Sequence, residues 1–266
     1  VTVDDDAPSQ GTVASSSIDE ESLSGGNDGE QGTGAGADAD LAGALTVTTG
    51  PVSLNISWGA DSDKRADVSG DTFGRKVNFA TAAGVLLDET STLTGALLGF
   101  GSQKSDGVDL TYEIVRTSIS GTWDGGYLLI AYKSTGSISD VTTYVFTITL
   151  DARSTNGSYS FTLFGHLDHP APAPGAGAEN NIDLTFRVRA TDADGDTAPA
   201  QTVTVTIDDD APSVPAAATV LAGVDEDDLT GGNDTPPGPE TLQTSAALGV
   251  LWGADSDKRA SGDTFG

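Results

Sequence analysis

Apolar and polar residues alternate along most of the chain with a period of two. The alternation runs through LTVTT (45–49), SLNISW (53–58), DLTYEIVRT (109–117) and YLLIAYK (127–133). It continues through TTYVFTITL (142–150), YSFTLFG (159–165), IDLTFRVRA (182–190) and QTVTVTI (201–207). A period of two puts successive side chains on opposite faces, so each stretch predicts a strand with one buried face. Turn chemistry separates them: WDGG at 123–126, TNGS at 155–158 and DADGD at 192–196. Asn156-Gly157 is the sharpest hairpin signal, because that pair adopts left-handed backbone at low cost. A helical pattern is confined to ATAAGVLLDE (80–89). Strands spaced in this way predict an all-β protein, an antiparallel Greek-key β-sandwich. Two long loops, SGGNDGEQGTGAGADAD (24–40) and the proline-rich HPAPAPGAGAENN (169–181), hold little to bury.

The chain also repeats itself. VTVDDDAPS (1–9) returns as VTIDDDAPS (205–213), and IDEESLSGGND (18–28) as VDEDDLTGGND (224–234). WGADSDKRADVSGDTFG (58–74) returns as WGADSDKRASGDTFG (252–266). Similar offsets in the same order identify a tandem unit of about 200 residues. The organisation expected is the last strand and linker of one unit (1–9), a complete unit (10–207), an aspartate-rich linker (208–213) and the opening of another unit (214–266). That last piece lacks partner strands and is expected to pack poorly. No methionine opens the chain, which is expected of a fragment or a processed product.

Composition narrows the partners. Twelve Lys+Arg against 40 Asp+Glu give a net charge of −28, which repels nucleic acid and anionic membranes. No apolar run approaches the roughly 20 residues of a spanning helix. Without cysteine there is neither a disulfide framework nor a thiolate nucleophile. So acidic a chain also repels itself, and cations that neutralise its clustered carboxylates should favour folding.

The carboxylates cluster where strands end. If 182–190 and 201–207 form a hairpin, DADGDTAPAQ connects them, and a strand of about seven residues separates DADGD from DDD by roughly 23 Å. In a sandwich of the immunoglobulin type, the entering linker reaches the end that holds the loop before the last strand. Asp4, Asp5 and Asp6 are therefore expected to approach Asp192, Asp194 and Asp196. Asp208, Asp209 and Asp210 are expected to meet the equivalent loop of the next unit. Carboxylates in this number suit Ca²⁺, which takes about six to eight oxygens from flexible loops, better than Mg²⁺. The alternating D-x-D-x-D directs several oxygens inward, and Gly195 permits the bend. It is not an EF-hand: the twelfth position from Asp192 is Val203 rather than Glu. The competing reading is that Asp-rich turns cap backbone amides. Asp19 and Glu20, with Glu21 and the later Asp225 and Glu226, form a further acidic candidate. Asp61 and Asp63 are either ligands or ion-pair partners of Lys64 and Arg65.

The phrases TDADGDT…VTVTIDDDAP, SLSGGND and FTLFGHLDHP (161–170) resemble the long tandem repeats of type I-secreted, RTX-type bacterial adhesins. The resemblance covers most of residues 1–213. It implies cadherin-like or immunoglobulin-like extender domains, stiffened by Ca²⁺ between neighbouring repeats, on an extracellular surface protein of biofilm-forming type. The family's tandem GGxGxDxUx array is absent; GGND at 25–28 and 231–234 is a single echo of it.

No catalytic constellation stands out, and the expectation is a non-enzyme: there is no G-x-S-x-G, P-loop or H-E-x-x-H. His166 and His169 either hold zinc or form a structural turn before Pro170. The rival to a spacer is a calcium-dependent, lectin-like module that takes polysaccharide or cell-surface glycan, with a ligand site in the region 24–105. For that rival Trp123 is the better candidate for exposure; Trp58 and its copy Trp252 read as core or loop anchors.

Overall fold

In the computed structural model, residues 1, 5–24, 46–60, 62, 74–170 and 181–209 are described. Three short strands come from the amino-terminal part: β1 (Ser9–Gln10), β2 (Ser16–Asp19) and β3 (Val47–Thr48). The SLNISW stretch is broken into β4 (Val52–Ser53) and β5 (Ile56–Ser57). The break falls at Asn55, which has φ 53°, and Asn is one of the few side chains that tolerate this region. Then come β6 (Lys76–Ala80), β7 (Thr90–Leu93), a single helical turn α1 (Gly95–Leu98) and β8 (Lys104–Ser105). The long strands follow: β9 (Val108–Ile119), β10 (Thr122–Lys133), β11 (Tyr144–Asp151), β12 (Ser158–Leu163), β13 (Ile182–Thr191) and β14 (Gln201–Asp208).

The protein is all-β. One sheet runs β3-β12-β11-β10-β9-β7, with β4 also on β12 and β8 also on β9. The other runs β2-β14-β13-β6, and a small β1-β5 pair stands apart. Aromatic rings join the two large sheets into one core. Phe186 of β13 meets Phe79 of β6 at 5.9 Å and Tyr159 of β12 at 6.0 Å. Phe100 bridges Phe146 of β11 and Phe186 at 5.7 and 6.2 Å. Such pairs add to the area they bury, which is the main term holding the sheets face to face.

Two sequence expectations are corrected. The stretch 80–89 is not helical: Ala80 closes β6, and a turn links Thr81 to Val85. Its apolar residues answer to sheet pairing instead, with Leu87 N–H donating to Phe79 O at 2.8 Å. WDGG is not a turn either. It lies inside β10, where the register against β9 shifts between Trp123 and Tyr127. The hairpin turns at Ser120-Gly121, where φ is 52° and 82°, the two-residue geometry that matches strand twist. Gly125 and Gly126 serve close approach rather than a turn. A Cβ on them would stand 2.3 Å from Arg75 O and 2.2 Å from Leu150 O.

The Asn156-Gly157 connection lies between β11 and β12, with Asp151 opposite Ser158 and Gly157 at φ 63°. The hairpin β13–β14 pairs Ile182 with Ile207 and Val188 with Gln201. Its two ends carry the acidic clusters. Among the described residues, no helix is long and apolar enough to cross a membrane.

Candidate metal centres

The first cluster forms at the loop end of the β13–β14 hairpin. Backbone pairing closes the loop: Asp192 N–H donates to Asp196 O, and Ala198 N–H to Ala190 O, each at 3.0 Å. Gly195, at φ 114°, makes the reversal. The Asp192 carboxylate turns inward and accepts from Gly195 N–H at 3.1 Å and Asp196 N–H at 2.8 Å, both through Oδ1. This is the amide capping expected of an Asp-rich turn.

The other oxygen of Asp192 is different. The residue is 2% exposed, and its Oδ2 is buried without a hydrogen-bond partner. Burial, and then the adjacent Asp194 carboxyl, push Asp192 up to about 6. A buried carboxylate oxygen without a donor is costly, and a cation is one way to satisfy it. Beside it, carboxylate oxygens of Asp5, Asp194 and Asp196 lie within 4.8 Å of one another. Among the described residues of the amino-terminal DDD, Asp5 thus reaches the D-x-D-x-D loop. Asp6 is engaged elsewhere. Its Oδ2 accepts from Ala60 N–H at 2.8 Å and packs against Gly59, where a Cβ would come within 2.7 Å. The donor set is all hard oxygen, which fits Ca²⁺.

The second cluster forms at the opposite end of the hairpin. Strand β2 pairs parallel to β14, with Asp19 opposite Asp208. The chain then turns, and Glu20 N–H donates to Asp208 O at 3.2 Å. Asp19 Oδ1 caps the turn by accepting from Glu21 N–H at 2.8 Å. Glu20 points inward, 1% exposed, and its Oε1 accepts from Leu167 N–H at 2.8 Å. His169 stands between two carboxylates: Nε2 is 3.4 Å from Glu20 Oε2, and Nδ1 is 3.7 Å from Asp209 Oδ1. Burial raises the Glu20 carboxyl above its ordinary value, and His169 opposes that rise. Glu20, His169 and Asp209 offer ligand atoms within 4.8 Å of one another.

The two histidines do not converge on one point. His166 Nε2 pairs with Asp106 Oδ1 at 2.9 Å, and Lys133 holds the other oxygen of Asp106. Trp58 is buried and covered by the Arg75 guanidinium at 4.6 Å. Trp123 is half-buried; Arg116 lies over its ring at 4.4 Å, and its Nε1 donates to Gly126 O at 2.9 Å. Asp4, Asp210, Asp61, Asp63, Asp225, Glu226, Trp252, most of the two long loops and the tail 214–266 lie outside the described residues.

Pairing across the sequence by pattern alone does not reach the Glu20–His169–Asp209 group. It depends on the parallel β2–β14 contact, which no local turn announces. The one signal was two strands that both end in acid, SSIDE and TIDDD.

No protein-family model, no curated protein and no solved structure matches the chain.

Proposed function

We propose that this chain is a calcium-binding structural extender of a large secreted bacterial surface adhesin, working outside the cell. In this reading the complete unit is a Greek-key β-sandwich of immunoglobulin or cadherin-like type. It is strung in series with neighbouring units of its own chain, and it is not an enzyme. The observation that carries the reading is the meeting of the linker residue Asp5 with Asp194 and Asp196 beside the buried, donor-less Oδ2 of Asp192. A linker residue that completes a site on the domain it enters makes domain orientation depend on occupancy of the site. The repeated linker and the resemblance to extender repeats support the same reading.

Asp5, Asp192, Asp194 and Asp196 would hold the ion. Ca²⁺ would cancel the repulsion among these groups and convert a hinge into a fixed joint. The glycan-binding alternative is weakened at Trp123, whose ring face is occupied by Arg116.

The test is calorimetric titration of the chelator-treated chain with CaCl₂, paired with thermal melts. Saturable binding that raises the melting temperature, and that is lost in Asp194→Asn/Asp196→Asn, is the expected result. A flat titration with an unchanged melt overturns the proposal.

A further inference from the structure

The same linker position occurs twice in this chain, in two different settings. Aligning VTVDDDAPS (1–9) with VTIDDDAPS (205–213) makes Asp5 and Asp209 equivalent. As Asp5, this aspartate meets Asp194 and Asp196 of the unit it enters. As Asp209, it meets His169 and Glu20 of the unit it leaves. Each copy displays one half of a junction.

The geometry points to a composite junction in which one linker aspartate is faced by His169 of the preceding unit, itself backed by Glu20, and presented to the D-x-D-x-D loop of the following one. His169 and Glu20 are then positioning residues for a cation site that belongs to the next domain. This inference rests on the extender reading above and adds to it the residues that aim the linker.

Three features favour positioning over a purely local role. Glu20 is rigid, because its Oε1 is fixed by Leu167 N–H and its backbone N–H by Asp208 O. His169 is also buried, at 4% side-chain exposure, and carries a nitrogen toward each carboxylate. A carboxylate has two oxygens, so one can face the imidazole while the other serves a cation. Fixing a ligand's orientation from behind lowers the ordering cost of binding, as outer partners do for metal ligands generally.

The experiment uses a two-unit chain, residues 1–209 followed directly by residues 6–266, which restores the natural linker. Asp194→Asn and Asp196→Asn in the first unit silence its own entry site, so that calcium titration reads the junction. His169→Ala in the first unit is expected to weaken junction binding by about tenfold, and His169→Gln, which keeps a donor, by less. The same His169→Ala in the second unit is expected to leave the junction affinity unchanged. Local damage to the fold is identical in the two copies, so only a positioning role separates them. Equal effects from both copies, or no effect from either, overturn the inference while leaving the extender reading in place. Absence of calcium binding at the junction with both histidines intact overturns both.

Discussion

His169 Nε2 stands 3.4 Å from Glu20 Oε2, and the two side chains are 4% and 1% exposed. They are far apart in sequence, and their two segments meet where Leu167 N–H donates to Glu20 Oε1 at 2.8 Å. A buried pair of this kind is expensive to break from one side, because the remaining partner is left without compensation. Glu20→Ala is expected to cost about 3–5 kcal/mol of folding stability. Glu20→Gln should cost less, since its side-chain oxygen still accepts from Leu167 N–H. Urea denaturation of the two variants checks the order; equal losses would mean that the loss lies in the charge of Glu20 and that the Leu167 bond contributes little.

Asp192 sets a pH dependence in the ion-free protein. Its carboxyl is pushed up to about 6 from an ordinary 3.8 by burial and by Asp194. Between those two values the folded state holds more protons than the unfolded chain, so stability falls as pH rises through the window. In chelator, melting temperature should therefore decline from pH about 4 to about 6 more steeply in the parent than in Asp192→Asn. Asparagine keeps the Oδ1 that caps Gly195 and Asp196. Identical slopes in the two proteins would count against a buried, raised Asp192.

The glycines of β10 separate close approach from turn-making. Gly126→Ala would drive a Cβ to 2.2 Å from Leu150 O, and Gly125→Ala to 2.3 Å from Arg75 O with φ already at 84°. Backbone must move in each case, and a loss above about 2 kcal/mol is expected. Gly121→Asn is the control: φ is 82°, nothing lies within 4 Å of a Cβ, and Asn tolerates that conformation. It should fall within about 0.5 kcal/mol of the parent in the same denaturation assay.

Phe186 joins the two large sheets through Phe79, Phe100 and Tyr159. Phe186→Ala leaves a cavity between the sheets and is expected to cost about 3–5 kcal/mol. Calcium should restore part of the lost melting temperature if it binds only the folded state. A variant that melts like the parent would show that the sheets do not depend on this ring.

Local rules made much of this protein legible in its sequence. The period-two alternation located β9 to β14, because side-chain direction in a strand depends on the adjacent residues alone. Asn156-Gly157 announced its connection, and the D-x-D-x-D loop its reversal at Gly195, through backbone preferences carried by single residues. The repeat itself placed Asp5 and Asp209 in equivalent positions. Tertiary structure decided the rest. β6, whose Val77, Asn78, Phe79 and Ala80 are all buried, has no alternation to read, because both of its faces are covered. WDGG read as a turn because Asp-Gly favours one, yet the approach of Arg75 and Leu150 set its glycines inside a strand. The choice among acids also belonged to the fold. Asp6 went to Ala60 N–H, Asp5 to Asp194 and Asp196, and Asp209 to His169, because carboxylates of the same type are distinguished only by what the sheets bring within reach.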